Sequence, residues 1–141
     1  MGYCSEVAIA FYGEHDEMVA FIAAARLDEK FKTIWEDCEM YPWVNRRQDH
    51  PSGRTVSVPM FMLEYHASCT KWYDEFPEVI AWRALMSAAE DKEDTICYEY
   101  VEIGEEIGDI HQEQSGEDAQ WFLSVNTTID KDLPEKEEKA A

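Results

Sequence analysis

Residues 95–118 read TICYEYVEIGEEIGDIHQEQSGED, and how they are read decides what kind of layer this chain builds. Ile96, Tyr98 and Tyr100 fall on one side of the backbone, while Cys97, Glu99, Val101 and Ile103 fall on the other. Alternation with a period of two, in β-branched and aromatic residues, predicts a strand over 95–103. Beyond it the chain turns acidic. Residues 98–118 hold eight carboxylates and no lysine or arginine, so 104–120 reads as an acidic connection to a further strand over 121–129.

Towards the N-terminus, residues 6–12 (EVAIAFY) form a short apolar run stopped by Gly13, which predicts a first strand. Met18, Phe21, Ile22 and Ala25 follow at helical spacing behind Asp16 and Glu17, where a helix N-terminus favours negative charge. Phe31, Ile34, Trp35 and Cys38 repeat that spacing and predict a second helix or a bent continuation of the first. Residues 41–54, YPWVNRRQDHPSGR, hold two prolines, a glycine and three of the twelve basic residues, and read as a loop. A long strand is expected over 55–65, with Pro59 placing it at an edge or a bulge. Pro77 suits the first turn of a third helix, whose buried stripe is Val79, Trp82, Leu85, Met86 and Ala89.

Strands first separated by helices and then consecutive predict an α+β fold: a mostly antiparallel sheet of about four strands with two or three helices on one face. Residues 1–130 make this single domain. Residues 131–141, KDLPEKEEKAA, are expected to be a disordered charged tail.

The 141 residues carry 31 acids against 12 bases, a formal net charge of −19. That charge repels nucleic acid and anionic membrane and attracts basic protein surfaces. No apolar run approaches the length of a membrane-spanning helix. Cys4, Cys38, Cys69 and Cys97 form no Cys-x-x-Cys pair, so they are expected to be buried, reduced thiols and the protein cytoplasmic.

Three stretches carry a resemblance: residues 2–8 (GYCSEVA), 71–79 (KWYDEFPEV) and 103–110 (IGEEIGDI). In that order they are similar to a group of small acidic proteins carried by bacteriophages and mobile elements, of unassigned function. The chain departs from that pattern at Glu102, where the group has a basic residue, and in a longer segment around 38–54. The resemblance implies a phage or prophage origin and no known enzymatic chemistry.

From these readings comes an expected function: an inhibitor, not an enzyme, that binds the basic surface of a host nucleic-acid-handling protein. It would act as an anti-restriction or anti-CRISPR factor, DNA mimicry being one version. The expected partner-binding carboxylates are Glu99, Glu102, Glu105, Glu106, Asp109 and Glu113, with Trp72 and Tyr73 as aromatic anchors. The bland alternative makes the acids a solvated surface on a structural or interaction module, and packs both aromatics under the third helix.

Neither direct nucleic-acid binding nor membrane association is expected, and a dimer stays open. His66 and Cys69 make one loose ligand pair where structural zinc usually shows two, so no metal or cofactor is expected. Glu64 and His66, two apart on a strand, are the acid–base pair a small enzyme would use, unaccompanied by a nucleophile or phosphate-loop motif.

Overall fold

The computed structural model describes all residues except 1–3, 49–50, 105–108, 118, 126–128 and 135–141. Its main layer is a five-stranded antiparallel sheet in the order β2-β3-β1-β4-β5, built from β1 (Ser5–Glu14), β2 (Glu39–Gln48), β3 (Thr55–Thr70), β4 (Ile96–Ile103) and β5 (Ile110–Ser115). Two helices, α1 (His15–Arg26) and α2 (Pro77–Glu90), pack on one face. The predicted α+β class is what the chain adopts.

The helix face is a core of Val7, Ile9 and Phe11 from β1, Leu63 from β3, and Ile96, Tyr98 and Tyr100 from β4. Met18, Phe21, Ile22 and Ala25 of α1 are buried against it. So are Val79, Ala81, Trp82, Leu85, Met86 and Ala89 of α2. Trp82 stacks on Phe11 with ring centroids 6.1 Å apart. Each such buried large side chain contributes roughly 1.5–3 kcal/mol relative to exposure.

The opposite face is also apolar. Ala8, Ala10, Tyr12, Tyr41, Trp43, Met60, Met62, Cys97 and Val101 lie there, beneath Phe122, Leu123 and Ile129. The last three belong to a covering segment that includes β6 (Leu123–Val125) and β7 (Ile129–Lys131), a separate two-stranded sheet. Two glycines permit close approach around this face. A Cβ on Gly116, whose φ is +114°, would sit 2.4 Å from Cys97 Sγ, and one on Gly13 would sit 2.5 Å from the Thr95 carbonyl.

Four local expectations are corrected. Residues 29–38 contain a single 3-10 turn, Glu29–Phe31, instead of a second helix. Its hydrogen bonds run from Phe31 N–H to the Asp28 carbonyl and from Lys32 N–H to the Glu29 carbonyl, each at 3.2 Å, and apolar spacing of three suits that turn as well as an α-helix. The expected loop at 41–54 is largely strand β2, whose Tyr41 and Trp43 alternate inward; its Pro42 is tolerated because β2 is an edge. The acidic connection contains strand β5, and the single strand expected over 121–129 is the β6–β7 pair. Pro59 behaves as expected of an edge position: the β1 ladder ends at Met60, so Pro59 pairs only with Val44 of β2.

The cysteine expectation is corrected as well. Cys4 and Cys69 form a disulfide, with Cα atoms 5.2 Å apart, because pairing of Ser5 with Thr70 brings the ends of β1 and β3 side by side. Cys38 and Cys97 stay outside any disulfide. Of the expected tail, residues 131–134 are described, with Lys131 in β7; the rest lies outside the described residues.

Candidate functional site

Strand β4 sends polar groups to both sides of the sheet, and each side builds its own constellation. On the helix side the centre is the Tyr100 hydroxyl, which donates to Glu102 Oε1 at 2.5 Å and accepts from Trp72 Nε1 at 2.9 Å. The Arg83 guanidinium of α2 lies over the Tyr100 ring, 4.6 Å from its centroid. Arg83 Nη1 donates to Glu113 Oε2 at 2.5 Å, and His111 Nε2 lies 2.9 Å from the same oxygen. Neighbouring Tyr98 donates to Glu90 at 2.6 Å.

Burial, and then the bond to Glu102, push the Tyr100 phenol far above its ordinary range. Burial alone would raise the Glu113 carboxyl, but its bonds from His111 and Arg83 outweigh that and hold it below its ordinary value. Every member of this network is matched, and its effect is to fasten edge strand β5 to α2.

On the other side of β4 the centre is Glu99, only 3% exposed. Its Oε2 accepts from the Tyr12 hydroxyl at 2.6 Å and from Phe122 N–H at 3.1 Å; its Oε1 accepts from Leu123 N–H at 2.9 Å. The Tyr12 oxygen in turn accepts from Gln120 N–H at 2.7 Å. Burial, reinforced by Glu99, moves the Tyr12 phenol far up from its ordinary value.

These bonds pin residues 120–123 across the sheet and leave a cleft of about 330 Å³ between that segment and β5, lined by residues 99–101 of β4, 112–114 of β5, Trp121 and Leu123. Trp121 is 69% exposed, and its backbone φ is 59°. Left-handed backbone at a bulky residue is a strained exception, costing about 1–3 kcal/mol.

The expected partner-binding residues are dispersed by this geometry. Glu99 is an internal clamp and presents no surface to a partner. Glu102 and Glu113 are half-buried members of the Tyr100 network, and Trp72 is a buried part of it. Tyr73 packs edge-on against Phe76 at 5.1 Å. Asp109 is exposed and its carbonyl accepts from Gly104 N–H, and Glu105 and Glu106 lie outside the described residues.

The Glu64–His66 pairing is not made. His66 Nε2 lies 2.9 Å from Glu6 Oε2, and Cys69 is taken up by its disulfide. Sequence reasoning missed Arg83, His111, Tyr12, Gln112, Gln114 and Trp121. His111 and Glu113 alternate along the chain, which was a usable strand signal; Trp121 carries none.

No known protein family matches the chain, and no curated protein matches it. Among solved structures it is similar to a phage SAM lyase in complex with S-methyl-5′-thioadenosine, at 17% identity and a TM-score of 0.41, covering 85% of this chain and 95% of that one. That protein is an enzyme. The expectations of a host-protein inhibitor and of a chain without catalysis are corrected on that finding, alongside the burial of Glu99 at the centre of the expected acidic patch.

Proposed function

We propose that this protein is an enzyme acting on a small, planar molecule held in the cleft between β5 and Trp121. The observation that carries the reading is Trp121 itself: an exposed indole in left-handed backbone, beside a concave surface bearing two side-chain amides. An exposed aromatic held in strained backbone marks a functional position more often than a packing one. Its ring would stack on the substrate's ring, and Gln112 and Gln114 would read its edge with one donor and one acceptor each. Glu99 sits behind the wall with both oxygens taken by Tyr12 and the backbone of 122–123, and would act on a bound substrate only as a fixed negative charge. No serine, threonine or cysteine lines the cleft among its described residues, so chemistry there would rest on positioning and electrostatics.

The test is a titration of the intact protein with adenine, adenosine, cytidine and S-methyl-5′-thioadenosine, followed by tryptophan fluorescence, with magnetic resonance of the ligands to detect turnover. Saturable binding is expected for at least one ring, weakened roughly 5- to 150-fold by Trp121→Ala, the worth of one stacked base. Trp121→Asn, suited to the left-handed conformation, should lose binding yet keep or gain up to about 1 kcal/mol of stability. Absence of binding to every ring in the panel, or binding indifferent to Trp121, defeats the reading.

A further inference from the structure

Beyond the pair Trp43–Met60 the five-stranded sheet narrows to two strands. β1 ends opposite Met60, while β2 and β3 continue together through Val44–Pro59, Asn45–Val58, Arg46–Ser57, Arg47–Val56 and Gln48–Thr55. The result is a two-stranded ribbon running past the end of β1, with Asn45, Arg47 and Val58 sharing a concavity with Glu14, Glu117 and Gln120 at its root. It carries Arg46 and Arg47 on β2 and Arg54 ahead of β3, all exposed. None of the three forms an ion pair with any described residue.

Residues 44–59 hold three arginines against Asp49 alone, a charge of +2, in a chain whose total is −19; the other residues therefore carry −21. A basic ribbon on so acidic a body is a separation of charge within one molecule. Half-buried Val58 packs against the core beneath Phe122 and ties the root of the ribbon to the body, and half-buried Val56 follows it further out.

We infer that this ribbon is an interaction arm whose partner is the acidic body of a second copy of the same chain. Charge complementarity selects that occupant. Nucleic acid would meet +2 on the arm but −21 on the body behind it, whereas a second copy offers negative charge to each arm, and a twofold arrangement satisfies both arms at once. Arginine suits the role, since its planar fork binds carboxylates in pairs. Exposed ion pairs are individually weak, so the association is modest, reversible and governed by ionic strength. The inference stands apart from the cleft, which lies at the β4–β5 side of the sheet, and either can fail without the other.

The experiment is light scattering of the whole protein across salt, at high micromolar concentration. In ~0.1 M chloride the mass should exceed the 16.4 kDa of one chain, and in ~1 M, where the screening length falls to about 3 Å, it should return to that value. Reversing all three charges (R46E/R47E/R54E) should weaken self-association by at least about tenfold, while R46K/R47K/R54K, which keeps the charge but loses the paired fork, should weaken it by less. Circular dichroism confirms that both variants fold. A wild-type chain that stays monomeric at low salt overturns the inference. So does an assembly that the reversed variant still forms, or an arm that binds duplex DNA in preference to its own kind.

Discussion

A carboxylate only 3% exposed must be matched by donors, and Glu99 has three: the Tyr12 hydroxyl and the backbone N–H groups of Phe122 and Leu123. Replacing it by glutamine turns one acceptor oxygen into a donor, so at least one of those partners faces an N–H₂ group. Hydrogen bonds to a charged group are worth about 1.5–3 kcal/mol, and Glu99→Gln should lower stability by about that amount, read from urea denaturation. A variant as stable as the wild type would show that the 120–123 segment is held by other means. Alternation along 96–103 was enough to set Glu99 on the face opposite Tyr98 and Tyr100. What covers that face was not legible, because its donors come from positions 12 and 122–123, and only the folded chain brings them to a residue that reads locally as solvated. Trp121 was less legible still, since no pattern in the neighbouring residues announces a left-handed backbone.

Helices α1 and α2 and strands β1, β3 and β4, which carry apolar patterns of their own, were read correctly, and the edge strands β2 and β5 were not. The stripes of α1 and α2 bury the very positions their spacing predicts. Strand β2 was hidden by Pro42 and its basic residues, although Tyr41 and Trp43 keep the inward alternation of a strand. Strand β5 was hidden by its polarity. It is an edge strand whose inward-facing side chains are His111 and Glu113, and it is held through Arg83 instead of an apolar contact. That arrangement makes its attachment sensitive to pH. The Glu113 carboxyl is held below its ordinary value, so it contributes stability above that value and loses it as pH falls through its folded one. Protection of the amides of 110–115 against hydrogen exchange should therefore drop between pH ~6 and pH ~3, spanning the ordinary glutamate value of about 4.3. The fall should be smaller in Glu113→Gln, which has no carboxylate to lose. Equal falls in both proteins would remove Glu113 from the attachment.

At the scale of the whole molecule, the total of −19 was plain from composition, but its segregation was not, because the segment carrying the arginines read as a loop and not as a two-stranded ribbon. Two effects of salt follow, and they oppose each other. Screening relieves the self-repulsion of a dense negative charge and stabilises each folded chain. It also dissociates copies held by ion pairs, which removes whatever stability their association adds. The R46E/R47E/R54E variant separates the two, since reversing three charges takes it from −19 to −25 and deletes the basic partner. Its thermal midpoint should climb steadily between ~0.1 M and ~1 M chloride; for a chain of this size about 1 kcal/mol appears as roughly 3–5 °C. The wild type should rise less, or fall, over the same range when scanned at high micromolar concentration, and should come to resemble the variant's slope on dilution. Parallel slopes at every concentration would mean that the arginines contribute nothing to stability through a second copy, and that salt acts on this fold through the self-repulsion and ion pairs of one chain.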